Sequence, residues 1–173
     1  VCVLDIDERL GDFLKKVNQD HGLDIEFRRY DVTEPLPKDL VGSFDVFSSE
    51  PLETTSGLKA FVGRGVACLK EKGCGYFGLT ILEASYKKWI AIERLLLEMN
   101  CVITDIIKDF SRYPMKYGTV NYESFAEGLE FPVERNFGID WYRSTLFRFE
   151  ALGRAKSIVP PNKRLKISHV DME

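Results

Sequence analysis

Apolar positions along the chain follow two alternating spacings, one typical of strands and one typical of helices. Unbroken or every-second apolar residues predict strands at residues 1–4, 25–30, 44–47, 74–80, 101–107 and 141–152. Apolar residues three or four apart predict three helices, which end near Gly22 or cover residues 56–72 and 83–99. This alternation predicts an α/β fold with a mostly parallel sheet, and the last strand, which no helix follows, is predicted as its antiparallel edge.

Two stretches lack a regular pattern. Residues 111–138 are rich in aromatic side chains, among them Tyr113, Tyr122 and Phe125, and a loop of this length usually has a function or contains structure of its own. Residues 153–173 are polar, which predicts a loosely held tail. We therefore divide the chain into one domain at residues 1–152 and a C-terminal tail at residues 153–173.

Two glycines, Gly63 and Gly65, lie inside the second predicted helix. Glycine destabilises a helix interior, because its backbone loses more conformational freedom than that of other residues. Their presence predicts close packing of this helix against the sheet or against a ligand.

The overall charge limits the classes of partner. The 173 residues include 24 basic and 27 acidic side chains, for a formal net charge of −3. This balance argues against a nucleic-acid surface, which usually carries clustered positive charge. It suits a cationic small molecule, and it is also the ordinary balance of a soluble protein.

Cysteines, histidines and hydropathy exclude further classes. The four cysteines form no CxxC pair, which favours reduced thiols in a cytoplasmic protein. The two histidines are far apart and lack metal-ligand spacing, so no metal is expected. No apolar run is long enough to cross a bilayer and there is no signal peptide, so no membrane partner is expected.

The most informative stretch is residues 44–57, where an apolar strand runs into a loop that contains Glu50 and Glu53. Hydroxyl residues follow and predict the start of the next helix. Two neighbouring carboxylates can bind the ammonium groups of a polyamine, or help to take a proton from an amine so that its lone pair can attack. The alternative is a solvated acidic loop that only caps the helix.

Three aspartates also follow strands. Asp5 and Asp7 end the first strand, where a carboxylate in an α/β sheet can accept both hydroxyls of a ribose. Asp31 ends the second strand and could accept a hydrogen bond from an adenine amino group. The alternatives are a cap for the next helix at Asp5 and Asp7, and an ordinary turn at Asp31.

Several strings together resemble one family. They are LDIDERL at residues 4–10, FDVF with its EPLET loop at 44–54, FVGRGVACLK at 61–70, GYFGLT at 75–80 and VITDIIKDF at 102–110. In order and spacing they resemble the branched-chain polyamine synthases, which are N4-bis(aminopropyl)spermidine synthases. The resemblance extends to about residue 152.

The resemblance implies a fold and an activity. The fold is a Rossmann-like catalytic domain of the class I methyltransferase type, with a mostly parallel sheet and an antiparallel last strand. The activity is transfer of aminopropyl groups from decarboxylated S-adenosylmethionine to the central amine of spermidine, which releases methylthioadenosine. This donor is a co-substrate, so no tightly bound cofactor is expected.

The same resemblance assigns residues to roles. It puts Asp5 at the ribose and Asp31 at the adenine of the donor, with Asp7 and Val32 beside them. The substrate-binding loop consists of Glu50, Pro51, Glu53 and Thr54, and the two glutamates are the expected catalytic residues. Two positions depart from the family's Asp-Pro-Pro-Glu-Thr loop, with Glu50 in place of Asp and Leu52 in place of the second Pro. Either change can alter substrate choice or abolish activity.

Part of the family pattern does not occur in these residues. The glycine-rich loop and the Gly-Asp-Asp-Asp segment, which is thought to supply the main proton acceptor, are missing, together with the fold's first strand. That strand would lie between the strands that end at Asp5 and Phe47. We therefore expect that this chain by itself neither binds a nucleoside tightly nor folds stably.

Two other functions remain open. The same fold could use intact S-adenosylmethionine and act as an N-methyltransferase, because the two donors differ by one carboxylate. A diverged homologue could instead have lost catalysis and have a binding or structural role. A homodimer is a further expectation, and the expected ligands are a polyamine and a nucleoside donor.

Overall fold

The computed structural model describes residues 1–80, 82–114, 116–117, 120–121, 124, 128–132 and 140–171. The strands are β1 (Cys2–Asp5), β2 (Glu26–Arg29), β3 (Phe44–Ser49), β4 (Leu69–Thr80), β5 (Cys101–Arg112), β6 (Lys116–Tyr117), β7 (Val120–Asn121) and β8 (Arg143–Ala151). The helices are α1 (Glu8–His21), α2 (Thr55–Cys68) and α3 (Tyr86–Glu98), with a short 3-10 helix at Lys38–Leu40. Strands and helices alternate as predicted, and none of these helices has the length and hydrophobicity of a membrane span.

The larger sheets of the described residues are built from parallel neighbours and one antiparallel strand. One sheet has the order β3-β4-β8-β5, in which β3 and β4 are parallel and β8 runs antiparallel to both of its neighbours. A second sheet consists of β1 and β2 in parallel. Within the described residues, β1 and β3 are not paired by hydrogen bonds. The resemblance puts the fold's first strand between these two strands.

The predicted position of the last strand is wrong. Strand β8 is antiparallel, as predicted, but it lies between β4 and β5 and is not an edge. Its Phe147 and Phe149 are fully buried, and the Phe147 ring stacks on that of Phe77 with centroids 5.0 Å apart. Burial between two neighbours and cross-strand aromatic pairing stabilise the interior position.

Two predicted boundaries are also wrong. Helix α2 ends at Cys68 and not at residue 72, because Leu69 is buried and already pairs with Phe44 in the sheet. Strand β5 continues to Arg112, into the stretch predicted as irregular. Of the aromatic residues named there, Tyr122 and Phe125 lie outside the described residues.

Helix α2 packs closely against its neighbours, as its two internal glycines predicted. A Cβ at Gly65 would lie 2.3 Å from the ring of Phe47 in β3, and a Cβ at Gly63 would lie 2.4 Å from a side-chain carbon of Val159. Any larger side chain at either position would therefore push the helix away from the sheet or from the C-terminal segment.

The C-terminal segment is held in place, so the prediction of a loosely held tail is wrong. The Lys156 amide donates to the carbonyl of Met99 (3.0 Å), the Ser157 hydroxyl donates to the carbonyl of Gly63 (2.7 Å), and Val159 is buried. These bonds tie the segment to α2 and to the end of α3. The division of the chain at residue 152 stays a prediction.

Candidate active site

The acidic loop, residues 50–54, joins the end of β3 to the start of α2. Thr54 is the N-cap of α2, and its hydroxyl oxygen accepts a hydrogen bond from the Gly57 amide (3.1 Å). The same hydroxyl donates to the carbonyl of Ser168 in the C-terminal segment (2.7 Å). Pro51 is buried, so both ends of the loop are fixed and the directions of Glu50 and Glu53 are defined.

Glu53 is a buried carboxylate, with 8% of its surface exposed. Its two oxygens accept hydrogen bonds from the amide (2.8 Å) and the hydroxyl (3.0 Å) of Thr80 at the end of β4. The pKa of Glu53 is raised to about 7, chiefly by burial; the Thr80 hydrogen bonds oppose this shift, and the nearby charges of Glu83 and Glu50 contribute to it. Glu53 can therefore exchange a proton close to neutral pH.

Glu50 belongs to the same loop, and its carboxylate lies against the backbone of β4. A Cβ at Gly78 would be 2.3 Å from Oε2 of Glu50, so only glycine allows the carboxylate to lie there. The hydroxyl of Tyr113 donates to the same oxygen at 2.9 Å. Glu50 is exposed and at the same time held in one orientation.

Three residues of this site were not among the predicted site residues. The Tyr142 hydroxyl donates to the carboxylate of Glu83, and the rings of Tyr142 and Tyr113 lie 5.0 Å apart. Tyr113 belongs to the aromatic stretch whose length predicted a function. Glu83 and Tyr142 gave no local signal, because Glu83 occurs near the predicted start of a helix and Tyr142 near the start of a predicted strand.

Glu50, Glu53 and Glu83 together are named here the acidic site. Within the described residues no lysine or arginine forms a salt bridge with any of the three. In the part of the chain that the structure describes, the site therefore presents carboxylates without a cationic partner. Such a site favours a ligand that carries several positive charges.

The predicted donor residues lie at the ends of β1 and β2. Asp7 is the N-cap of α1: its carboxylate accepts from the Arg9 amide (3.0 Å) and pairs with the Arg9 guanidinium (2.6 Å). Hydrogen bonds from Arg9 lower the pKa of Asp7. The capping alternative thus describes Asp7, whose contact with a donor stays a prediction. Asp5 accepts from the Asp7 amide at 2.8 Å.

Asp31 borders a cavity of about 500 Å³, named here the β1–β2 cavity, whose lining residues are Ile6, Arg29, Tyr30, Asp31 and Glu34. Its carboxylate accepts from the amide and the hydroxyl of Thr33, both at 2.8 Å, and these bonds lower the pKa of Asp31. The carbonyl of Val32 faces Arg64 of α2 at 3.4 Å. No hydrogen bond among the described residues joins this cavity to the acidic site, and their common rim stays a prediction.

The described residues offer no metal centre, since they contain no group of three or more His, Cys, Asp or Glu that could hold an ion.

A family model decides the classification. The model for the branched-chain polyamine synthase A C-terminal domain matches residues 1–172. The chain belongs to this family. Family membership agrees with the resemblance found in the loop and strand sequences.

Curated relatives in this family are similar over most of the chain. The N(4)-bis(aminopropyl)spermidine synthase of Thermococcus kodakarensis is 43% identical over 159 residues, which cover 90% of this chain and 44% of the relative. The enzyme of the same name from Thermus thermophilus is 42% identical over 156 residues, with 90% of this chain and 45% of the relative covered. The chain thus spans less than half the length of these relatives.

Solved structures agree with the family and with the fold. The branched-chain polyamine synthase from Thermus thermophilus, crystallised with N4-aminopropylspermidine and 5'-methylthioadenosine, matches with a TM-score of 0.82 and 38% identity over 99% of this chain and 48% of that one. A SAM-dependent methyltransferase from Methanosarcina mazei matches with a TM-score of 0.56 at 10% identity, over 88% of this chain and 82% of that one. The second match concerns the fold alone, and it agrees with the predicted Rossmann-like class I methyltransferase type.

Proposed function

We propose that this chain is part of an aminopropyltransferase, which moves aminopropyl groups from decarboxylated S-adenosylmethionine to an amine of spermidine. The observation that carries the proposal is the acidic site, in which Glu50 and Glu53 lie side by side without a basic partner among the described residues. Spermidine is a polycation at neutral pH, because its amines have pKa values near those of lysine, about 10. The family's relatives act on or bind such compounds according to their names.

The acidic loop binds and orients the acceptor in this proposal. Glu50, held by Tyr113, and Glu83, held by Tyr142, have carboxylates of fixed orientation that can pair with ammonium groups. Pro51 and Thr54 fix the loop: Pro51 is buried, and Thr54 caps the following helix. Fixed carboxylates lose little freedom on binding, which favours affinity for a flexible polyamine.

Glu53 takes part in deprotonation of the amine. An ammonium nitrogen has no lone pair, so it must lose its proton before it attacks. A carboxylate with a pKa of about 7 is a stronger base than one with the ordinary value of 4.5, by about 3 kcal/mol. Glu53 is therefore better suited than an exposed glutamate to accept or relay this proton. It can act together with any proton acceptor outside these residues.

The transfer itself is an in-line displacement. The amine nitrogen attacks the methylene carbon next to the sulfonium, a new N–C bond forms, the C–S bond breaks, and methylthioadenosine leaves with the electron pair. Such a reaction depends mainly on alignment and on a deprotonated nucleophile. The donor occupies the β1–β2 cavity, with Asp5 at the ribose, Asp31 at the adenine, and Asp7 and Val32 beside them.

Several features of the assembled protein stay predictions. Decarboxylated S-adenosylmethionine is a co-substrate and not a resident cofactor in this proposal. The ligands are a polyamine and a nucleoside donor, and neither a nucleic acid nor a membrane is included as a partner. A homodimer and a cytoplasmic location rest on the sequence alone.

The test is to identify the product of the full-length protein. The protein is incubated with spermidine and either decarboxylated or intact S-adenosylmethionine, and products are weighed by mass spectrometry. The proposal expects aminopropyl addition and methylthioadenosine release with the decarboxylated donor. Methyl addition from the intact donor would instead identify an N-methyltransferase, and no product from either donor would indicate a non-catalytic homologue. The Glu53→Gln variant controls for contaminating activity.

A further inference from the structure

Arg64 is an unusual buried cation. It lies in α2 with 3% of its surface exposed, and within the described residues no carboxylate forms a salt bridge with it. Burial of a charge is costly unless its hydrogen-bonding capacity is satisfied. Backbone carbonyl groups do this here, so the arrangement of those carbonyls depends on the guanidinium.

The three nitrogens of the Arg64 guanidinium together donate to backbone carbonyls of two chain segments. Nη1 donates to Pro160 (2.8 Å) and Pro161 (2.9 Å). Nη2 donates to Glu34 (2.8 Å) and Lys163 (2.6 Å), and Nε is 3.4 Å from the carbonyl oxygen of Val32. One side chain thus connects α2, the loop at residues 32–34 and the segment at residues 160–163.

The loop at residues 32–34 is part of the wall of the β1–β2 cavity. It follows Asp31, and Glu34 also lines the cavity. The Glu34 carbonyl receives a second hydrogen bond from the Tyr30 hydroxyl (2.9 Å), and the Glu34 amide donates to the carbonyl of Asp31 (2.9 Å). The position of this wall is therefore coupled to the Arg64 guanidinium through the carbonyl groups of Val32 and Glu34.

The C-terminal segment supports the same loop from outside. The Leu36 amide donates to the carbonyl of Pro161, and the Leu165 amide donates to the carbonyl of Thr33, both at 2.7 Å. Without the guanidinium, the carbonyl of Lys163 would lose its donor. The carbonyls of Pro160 and Pro161 would each keep one backbone amide donor and lose the stronger, charged one, so this junction would loosen.

We propose that Arg64 is a positioning residue for the nucleoside part of the donor. It holds the loop at residues 32–34 in the shape that the adenosine group requires, although it does not itself line the cavity. The inference rests on the proposed function, since it assumes that the β1–β2 cavity receives the donor. Arg64 forms no hydrogen bond with Glu50, Glu53 or Glu83 among the described residues, so its loss is expected to affect donor binding more than acceptor binding.

The test compares Arg64→Lys and Arg64→Met with Arg148→Lys in the full-length protein. Lysine keeps the charge but has fewer donors in a different geometry, and methionine keeps most of the volume without any donor. Arg148 is a matched control, because it also donates to several groups, Tyr76, Thr104 and Glu150, on a part of the sheet away from the cavity. The probe is methylthioadenosine, and its Kd is measured by calorimetry at a temperature where each variant is folded.

The expected result is a Kd for methylthioadenosine about tenfold higher in both Arg64 variants and unchanged in Arg148→Lys. In steady-state kinetics the donor KM rises by a similar factor, while the acceptor KM and kcat at saturating donor stay within about twofold. Any one of three results would overturn the positioning role. These are an unchanged Kd for methylthioadenosine in the Arg64 variants, an equal loss of donor and acceptor affinity in them, and failure of both variants to fold. If the unaltered protein does not bind methylthioadenosine, the proposed function fails and this inference fails with it.

Discussion

Glu53 accepts two hydrogen bonds from Thr80, one from its amide and one from its hydroxyl, which fixes a buried carboxylate at the end of β4. This pairing connects the acidic loop to a strand 27 residues further along the chain. The bonds do not cancel the effect of burial, since the pKa of Glu53 is still raised to about 7. The carboxylate is therefore both fixed in position and able to change its charge near neutral pH.

We predict that Glu53→Gln lowers kcat by about a hundredfold or more, within the range expected for loss of a general base. Glutamine keeps the shape, and its amide oxygen can still accept from the Thr80 amide. In the unaltered protein kcat/KM should rise with pH through about 7, and this rise should be lost in the variant. Glu71→Gln, on the exposed part of β4, is the control and should leave the profile unchanged. Equal profiles for Glu53→Gln and the unaltered protein would remove Glu53 from the chemistry.

The same substitution should change how stability depends on pH. The pKa of Glu53 is higher in the folded state, about 7, than the ordinary value of 4.5, so the folded state binds the proton more tightly. The protonated carboxyl therefore stabilises the fold fully below about pH 4.5, and this contribution is lost as pH rises through 7. Relative to the unaltered protein, Glu53→Gln should gain up to about 3 kcal/mol in free energy of unfolding between these pH values. Denaturant titrations of both proteins at both pH values measure this difference. If the free energy of unfolding depends on pH in the same way in Glu53→Gln and in the unaltered protein, the assigned pKa shift is contradicted.

A third prediction concerns Gly78 beneath Glu50. A Cβ at this position would lie 2.3 Å from the Glu50 carboxylate, which must then leave its place and its bond with Tyr113. Because Glu50 is exposed and can move into solvent, Gly78→Ala should raise the acceptor KM by about tenfold with little loss of stability. Gly128→Ala is the matched control, since a Cβ there meets nothing within 4 Å. An unchanged acceptor KM in Gly78→Ala would mean that Glu50 does not bind the polyamine.

Sequence patterns predicted the local structure well where one residue type has a dominant preference. Gly22 ends α1 with a φ of 63°, and Asn100, expected to end α3, has a φ of 61°. The acidic loop between β3 and α2 was also predicted, because an apolar strand, a proline and a run of hydroxyl residues follow one another there.

Other features depend on contacts between distant parts of the chain, and no local pattern reveals them. The interior place of β8 depends on its pairing with both β4 and β5. The bond between Tyr113 and Glu50 joins residues 63 positions apart, and Tyr142 and Glu83 are likewise far apart in sequence. The tail looked loosely held because its polar residues gave no sign that backbone carbonyls would satisfy the buried Arg64.

A fourth prediction concerns residues 1–173 by themselves. Within the described residues β1 and β2 pair only with each other, and a two-stranded sheet is marginal in water. The apolar side chains of Ile6 and Val46 are more than half exposed near the ends of β1 and within β3. We expect no ordinary cooperative unfolding of this polypeptide, and calorimetry checks this. A sharp transition at about 45–65 °C, the usual range for a stable domain, would contradict it.

The most direct measurement is mass spectrometry of the products formed by the full-length protein from spermidine and decarboxylated S-adenosylmethionine. We predict spermidine that carries added aminopropyl groups, with one methylthioadenosine released per group, and loss of both products in Glu53→Gln. Two results would contradict the claim that this acidic site binds and deprotonates the acceptor amine. One is spermidine that stays unmodified after incubation with the full-length protein and the donor, and the other is full product formation by Glu53→Gln.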